Sequence, residues 1–156
     1  MIKVLFVCLG NICRSPLAEG VFLEALRQAD LLKAFQVDSA GTGDWHIGHA
    51  PDKRSQAVAQ KNGFTLESRA RQVHAKDFLD FDFIVAMDKS NYSDLLQLCP
   101  KAQQHKILLM RDFDHIEYKG HDVPDPYYGG EDGFAEVHEM LDRSCRNFLK
   151  HLQSQI

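Results

Sequence analysis

Long hydrophobic runs and an excess of basic charge are both absent from this 156-residue chain. The apolar run at residues 4–9 is far shorter than the roughly 20 residues that cross a membrane. It is also too short for a secretory signal, and polar residues follow it at once. With 18 basic and 22 acidic side chains the net charge is −4, which does not suit a polybasic protein. We therefore expect no nucleic-acid partner and no membrane partner.

Cysteine is scarce as well, with four residues: Cys8, Cys13, Cys99 and Cys145. A chain of this length buries enough surface to fold without disulfides, and no secretory signal indicates an oxidising compartment. We therefore expect reduced thiols and a cytoplasmic protein. Cys99 ends a predicted helix and Cys145 lies on an apolar helix stripe, so both are predicted to be packing residues. Cys8 and Cys13 remain as candidates for chemistry.

Internal repeats, low-complexity tracts and linkers are also missing, so we expect one domain over residues 1–156, by default a monomer. Apolar, β-rich runs predict four strands, at residues 2–7, 35–40, 83–87 and 106–110. Helical patterns begin at Ser15-Pro16 and cover residues 51–62, 90–99 and 132–152. Continuously apolar strands that alternate with helices indicate an α/β fold, with a parallel sheet covered on both faces.

The first helix has the clearest start signal and apolar stripe. Ser15 is predicted to be its N-cap and Pro16 its first helical residue, because serine satisfies free N–H groups and proline fits the first turn. The stripe is predicted from apolar residues at spacings of three and four, namely Ala18, Phe22, Ala25, Ala29 and Leu32.

The segment before this helix carries the sharpest chemical signal, Cys8-Leu9-Gly10-Asn11-Ile12-Cys13-Arg14-Ser15. It lies at the carboxyl edge of the predicted sheet, where open α/β folds bind ligands, and at a helix N-terminus, which directs free N–H groups at an anion. Gly10 is expected to supply the backbone freedom of a tight anion-binding loop. A helix N-terminus favours a thiolate, and Arg14 can donate two hydrogen bonds to a tetrahedral oxyanion. The pattern predicts phosphoryl transfer to sulfur and hydrolysis of the resulting cysteinyl-phosphate.

Two other interpretations of this loop stay open from the residues alone. Cys8 could be a buried core thiol, since cysteine is among the most buried residue types. Cys8 and Cys13 could also form half of a metal site, although the other thiols are isolated and His74 stands alone. The strand before the loop, the glycine inside it and the helix start after it favour the catalytic interpretation, without a metal.

The residues VCLGNICRSP at positions 7–16 resemble the signature of the low molecular weight protein tyrosine phosphatases. Asp125-Pro126-Tyr127-Tyr128 resembles the general-acid loop of the same family. Asp38-Ser39-Ala40-Gly41, Arg71-Gln72 and Met87-Asp88-Lys89-Ser90-Asn91 match its pattern in the same order. The resemblance covers essentially the whole chain. It implies a single-domain three-layer sandwich with a four-stranded parallel sheet, no cofactor, and hydrolysis of phosphotyrosine or small aryl phosphates to inorganic phosphate.

The resemblance also implies roles for individual residues. Cys8 attacks phosphorus, Arg14 binds the phosphoryl oxygens, and Asp125 protonates the leaving phenolate and later accepts a proton from water. Asn11 and Ser15 fix the loop, and Ser15 also donates to the thiolate. The implied substrate-binding set contains the loop residues Leu9, Gly10, Asn11, Ile12, Cys13 and Ser15, with Trp45, Tyr127 and Tyr128 as aromatic walls.

Asp125 lies in residues 111–131, which show no sustained period and are rich in Asp, Gly and Pro. Structureless segments beyond about 12–15 residues are uncommon in compact domains, and are usually functional or disordered. Four aspartates lie in this segment, and an acidic loop is commonly just solvated. The residues alone therefore favour Asp125 only weakly, and the resemblance selects it.

Two positions carry open expectations. Many family members have a histidine before the Arg-Gln pair, where this chain has Ser68, a shorter side chain that cannot titrate. A difference in loop stiffness or pH optimum is therefore expected. Cys13 is either a small residue that fits a crowded turn or the partner of Cys8 in a reversible protective disulfide.

Alternative functions are separated by single features of the chain. An arsenate reductase of the same fold needs two further cysteines after the third strand, and residues 87–100 contain only Cys99. Protein-arginine phosphatases tend to carry threonine where this chain has Ile12. A non-catalytic phosphate-binding module would lack the nucleophile or the acid, and this chain has both Cys8 and Asp125. A thioredoxin-like redox pair would have Cys-x-x-Cys spacing, which Cys8 and Cys13 do not have. We favour a protein tyrosine phosphatase, with arsenate reductase or protein-arginine phosphatase as the alternatives.

Overall fold

The core of the fold is a sheet of short apolar strands that all run in one direction. The computed structural model describes residues 1–155, and the predicted domain end, Ile156, lies outside them. Within these residues the strands are β1 (Ile2–Cys8), β2 (Phe35–Gly41), β3 (Phe83–Ala86) and β4 (Ile107–Leu109). The helices are α1 (Arg14–Gln28), α2 (Lys53–Lys61), α3 (Asp77–Asp80), α4 (Lys89–Leu98) and α5 (Glu131–Gln153). The strand order is β2-β1-β3-β4, and every pairing is parallel. The predicted α/β class with a four-stranded parallel sheet is confirmed.

Helices cover both faces of the sheet, as its apolar strands require. Successive residues of β1 point to opposite faces, so that Phe6 joins the core beneath α1 and α5 while Leu5 joins the core beneath α3 and α4. The Phe22 ring of α1 contacts the rings of Phe6 and Phe148, each at a centroid distance of 5.6 Å. Cys145 lies in the first core and Cys99 in the second, so the prediction that both are packing residues is confirmed.

The predicted start and end of the first helix are wrong. Cys13 is the N-cap of α1, and Ser15 lies inside the first turn with its hydroxyl directed away from the helix N–H groups. The helix stops at Gln28, and Asp30 then turns the chain with a φ of +58°. Ala29 and Leu32 are therefore exposed instead of continuing the apolar stripe.

The sheet order sets the position of the loop that follows β1. β2 lies on one side of β1 and β3 on the other, so the chain leaves β1 at the point where the strand order reverses. Ligands of open α/β sheets bind in the crevice at such a point. The ends of β2 and β3 therefore flank residues 9–13.

Residues 111–130 are ordered by buried polar contacts. Two 3₁₀ turns, Met110–Phe113 and Ile116–Tyr118, interrupt the segment. Arg111 donates to the buried carboxylate of Asp114 at 3.1 Å, and Arg143 of α5 donates to the same carboxylate at 2.9 Å. Of the two alternatives for this segment, functional or disordered, these contacts argue against disorder. Among residues 1–155, no helix has the length and apolar character to span a bilayer.

Candidate active site

The loop between β1 and α1 is bent by one residue with an unusual backbone conformation. That residue is Asn11, whose φ is +56°, and the prediction that Gly10 supplies this freedom is wrong. Asparagine adopts the left-handed region more readily than most residues because its short polar side chain hydrogen-bonds locally. Gly10 instead leaves room for a neighbour, since a Cβ there would lie 3.0 Å from Cδ2 of His46.

Cys8 ends β1 with its sulfur facing the interior of this loop. The Ser15 hydroxyl lies 3.0 Å from Cys8 Sγ, and the Asn11 N–H donates to the same atom at 3.3 Å. Only 2% of Cys8 is exposed. The Asn11 N–H and the N-terminus of α1 direct positive partial charge toward the sulfur.

The Asn11 side chain holds the loop to its surroundings. Its Nδ2 donates to Ser15 Oγ at 2.8 Å and to Ser39 Oγ at 3.0 Å, and its Oδ1 accepts from the Arg71 N–H at 3.0 Å. Ser39 in turn donates to Glu19 Oε1 at 2.6 Å. A continuous chain of hydrogen bonds therefore runs from the Cys8 sulfur through Ser15, Asn11 and Ser39 to Glu19.

Glu19 is the one titratable side chain at the end of this hydrogen-bond chain. Burial, assisted by the negative charge of Asp38, raises the pKa of Glu19 to about 7, against the lowering effects of the Ser39 hydrogen bond and the Arg71 charge. Glu19 also lines a cavity of about 610 Å³ behind the loop, together with Ser68. Ser68 therefore lines the same cavity as the acid that ends this network.

Arg14, the first residue of α1, is held by hydrogen bonds and ionic contacts with two other parts of the chain. Its NH1 donates to Asp88 Oδ2 at 2.5 Å and to the Val123 carbonyl at 3.0 Å, and its NH2 lies 3.6 Å from Asp125 Oδ2. Burial alone would lower the pKa of Arg14, but the negative charges of Cys8, Asp88 and Asp125 raise it overall. Arg14 is therefore a permanent cation in a fixed orientation.

Asp125 lies above the loop, on the segment between Val123 and α5. Its Oδ1 accepts from the Tyr127 N–H at 3.0 Å, and its Oδ2 faces Arg14. The side chain is 39% exposed, which leaves the carboxyl accessible from the cavity. A carboxyl in this place can exchange a proton with a group bound between it and Cys8.

A cavity of about 400 Å³ brings most of the predicted site together. Its floor contains Cys8 and Arg14, and Asp125 lies on its wall. Trp45 and Tyr128 stand at the rim, 65% and 94% exposed. The other lining residues are Leu9, Gly10, Ile12, Cys13, His46 and Tyr127. Asn11 and Ser15 are not in the lining, because both lie buried behind the loop and contact its atoms from there.

Residues 3–156 match the family model of the low molecular weight phosphotyrosine protein phosphatases. The chain belongs to this family. The phosphatase of that name from Schizosaccharomyces pombe is 43% identical over 152 residues, which cover 97% of each protein. A crystal structure of protein tyrosine phosphatase from Entamoeba histolytica covers 99% of both chains with a TM-score of 0.96 and 42% identity. The structure of a Drosophila arginine phosphatase has a TM-score of 0.91 at 34% identity, over 99% of this chain and all of that one. The predicted family is confirmed.

Three residues in or behind the site of this phosphatase were not predicted from the sequence as site residues. Asp88 binds Arg14, and its Oδ1 also caps α4 by accepting from the Asn91 N–H at 2.7 Å. His46 lines the cavity beside Trp45, with its ring centroid 6.3 Å from that of Tyr127. Glu19 ends the hydrogen-bond chain behind Cys8. Only Asp88 carried a usable signal, because an aspartate between a buried strand and a helix indicates both an N-cap and the carboxyl edge of the sheet.

Proposed function

We propose that this phosphatase hydrolyses phosphotyrosine monoesters through a cysteinyl-phosphate intermediate. The observation that carries the proposal is the convergence of Cys8, Arg14 and Asp125 on one cavity. These three groups supply a nucleophile, a fixed cation and a proton donor, which together suffice for phosphoryl transfer without a cofactor.

In the first step, Cys8 Sγ attacks phosphorus in line with the ester oxygen. The S–P bond forms as the P–O bond to the aryl group breaks, and Asp125 passes its proton to the departing phenolate oxygen. Arg14 donates to the non-bridging oxygens, whose negative charge its guanidinium offsets. Asp88 and the Val123 carbonyl keep that guanidinium in place during the step.

In the second step, water attacks the cysteinyl-phosphate. The Asp125 carboxylate accepts a proton from this water, the S–P bond breaks, and inorganic phosphate leaves. The sulfur is now the leaving group and takes up negative charge. Ser15 and the Asn11 N–H, at 3.0 Å and 3.3 Å from Sγ, stabilise that charge.

The cavity walls support an aryl ester as substrate. Trp45, Tyr127 and Tyr128 offer aromatic faces at the opening, where the ring of a phosphotyrosine or a small aryl phosphate would lie. Ile12 gives the floor an apolar contact, with no hydroxyl for a guanidinium group. We therefore place phosphotyrosine ahead of phosphoarginine. Because all four cysteines are free thiols, we also propose that the protein works in a reducing compartment, the cytoplasm.

The experiment that tests this function is hydrolysis of a phosphotyrosine peptide and of p-nitrophenyl phosphate in the absence of metal ions. Cys8→Ser and Arg14→Ala should each lower kcat/KM by at least about 10³-fold, since each removes a group that acts on the transition state. Cys99→Ser is the matched control, a buried thiol in the second core far from the cavity, and should retain activity. An active Cys8→Ser variant, or hydrolysis of phosphoarginine but not of phosphotyrosine, would contradict the proposal.

A further inference from the structure

The segment that carries Asp125, residues 124–130, is attached to the rest of the protein chiefly by Arg54. Arg54 NH2 donates to the Tyr127 carbonyl at 2.9 Å, and its NH1 donates to the Gly129 carbonyl at 3.0 Å. Among residues 1–155, Arg54 is the one side chain outside this segment that donates hydrogen bonds to its backbone; the Gly133 N–H of the adjoining helix α5 also donates, to the Gly130 carbonyl. Arg54 therefore helps to fix the position of Asp125 over the cavity, together with the contact between Arg14 and the Asp125 carboxylate.

Arg54 is itself held in one orientation. Its Nε and NH2 donate to the two carboxylate oxygens of Asp52, each at 3.1 Å. Its guanidinium carbon lies 4.5 Å from the centroid of the Phe134 ring at the start of α5. The same carbon lies 5.7 Å from the centroid of the Tyr127 ring. Four hydrogen bonds and two aromatic rings therefore fix a side chain that is otherwise flexible.

The turn of α2 that bears Arg54 also contacts the loop of Cys8. The Asp52 N–H donates to the Ile12 carbonyl at 2.7 Å, and the Ser55 hydroxyl donates to the Cys13 carbonyl at 3.1 Å. The first turn of α2 thus contacts both the loop of Cys8 and the segment that carries Asp125. This turn therefore links the part of the site that holds Cys8 to the part that holds Asp125.

We propose that Arg54 is a positioning residue that holds Asp125 at proton-transfer distance from the leaving group. The inference rests on the proposed function, because it assigns Asp125 as the proton donor. Arg54 does not line the cavity that holds Cys8, so it acts through the segment and not through contact with substrate. Lysine cannot replace it fully, because its single ammonium lacks the planar set of donors that reaches two carbonyls and a carboxylate together.

The test compares substrates whose leaving groups differ in their need for a proton. Phenyl phosphate has a poor leaving group and p-nitrophenyl phosphate a good one, and kcat/KM reports the step in which Asp125 donates. Arg54→Met should lower kcat/KM by about 10–100-fold for phenyl phosphate and by less than about 3-fold for p-nitrophenyl phosphate. For phenyl phosphate, the kcat/KM of Arg54→Lys should lie between the values of Arg54→Met and of the native protein. Lys53→Met removes an exposed neighbouring charge of the same sign and should leave both values unchanged.

A double variant separates positioning from a general structural effect. Because Arg54 acts through Asp125, adding Arg54→Met to Asp125→Asn should cause little further loss with phenyl phosphate. Equal losses for both substrates, or fully multiplicative losses in the double variant, would overturn the role of Arg54. If Asp125→Asn alone has no leaving-group dependence, the proposed general acid fails, and the role of Arg54 fails with it. Arg54→Lys serves the same comparison should Arg54→Met not fold.

Discussion

The side-chain amide of Asn11 donates to Ser15 Oγ at 2.8 Å, which leaves the Ser15 proton for one of two nearby acceptors. Since the hydroxyl oxygen accepts from Asn11, its own proton is free to point at Cys8 Sγ, 3.0 Å away, which is nearer than the Ala40 carbonyl at 3.4 Å. The neighbouring Ser39 cannot compete for that role, because its proton is directed to Glu19. The network behind the loop thus presents a hydrogen-bond donor to the nucleophile.

Removing that donor should slow the step in which sulfur leaves. Ser15→Ala is expected to lower kcat by about 10–100-fold, because breakdown of the cysteinyl-phosphate puts negative charge on Sγ. Pre-steady-state hydrolysis of p-nitrophenyl phosphate should then release a burst of nitrophenol, followed by slow turnover. Ser90→Ala, at an exposed position of α4, is the control and should behave as the native protein. Absence of any change in Ser15→Ala would mean that the hydroxyl does not assist the sulfur.

Replacing Asp88 with asparagine should weaken phosphate binding. Asparagine keeps the cap of α4 but removes the negative charge beside Arg14, so the guanidinium loses its charged partner. We expect the inhibition constant for inorganic phosphate to rise about 10-fold, equivalent to roughly 1.4 kcal/mol. Asp122→Asn is the matched control, since Asp122 Oδ1 accepts from the Lys89 N–H at the same helix start. A similar loss in both variants would assign the effect to α4 rather than to Arg14.

Glu19 should make the protein less stable as the pH rises from about 4.5 to about 7. Its pKa is about 7 in the folded protein and near the ordinary 4.5 in the unfolded chain, so the unfolded state loses its proton first. Below this window both states are protonated, and Glu19 contributes no pH dependence. Glu19→Gln mimics the protonated form. Its free energy of unfolding, relative to that of the native protein, should therefore rise by about 2 kcal/mol from pH 5 to pH 8. Urea unfolding at both pH values measures the difference.

Glu67→Gln provides the control for this pH dependence, because Glu67 is exposed and lines the same cavity. The difference in free energy of unfolding between Glu67→Gln and the native protein should be the same at pH 5 and at pH 8. A constant difference for Glu19→Gln as well would contradict the raised pKa of Glu19.

The two thiols of the loop should differ in reactivity at neutral pH. Burial and the nearby charge of Asp52 raise the pKa of the Cys13 thiol, so Cys13 stays protonated. Iodoacetate at pH 7 should therefore modify Cys8 first, and inorganic phosphate should slow the reaction. Peptide mapping by mass spectrometry locates the label. Modification of Cys13 ahead of Cys8, or no protection by phosphate, would contradict this assignment.

Mild peroxide, followed by thiol mapping, tests the protective disulfide. A Cys8–Cys13 disulfide is expected if Cys13 intercepts the sulfenic acid of Cys8. A Cys8 sulfinic acid without that disulfide would leave Cys13 as a residue that only fits the turn.

Local sequence patterns predicted the parts of the fold and site that are local in the chain. Each strand boundary lies within one residue of its predicted position, because continuous apolar runs with β-branched residues specify buried strands. Cys8 and Arg14 are separated by a short loop whose flanking elements were recognisable. Asp125 was selected only through the family resemblance, since its own neighbours look like any acidic loop.

Contacts between distant parts of the chain were not predictable in this way. Asp88 binds Arg14 across 74 positions, and Arg54 reaches the Tyr127 carbonyl across 73. No periodicity encodes such pairs. The misassigned cap has a related cause: Ser15 has the right residue type for an N-cap, but its hydroxyl is held by Asn11 and Cys8 inside the folded site. The tertiary environment overrides the local preference.

The most direct test of the account is to identify the covalent intermediate. The Asp125→Asn variant, mixed with p-nitrophenyl phosphate, whose good leaving group needs little proton donation, and quenched in acid, should accumulate one phosphate per chain, because water attack on the cysteinyl-phosphate lacks its base. Peptide mapping by mass spectrometry should locate that phosphate on Cys8, and it should be absent from the Cys8→Ser variant. Phosphate bound to any other residue, or turnover with no covalent phosphate on a rapid-quench time scale, would contradict the proposed mechanism.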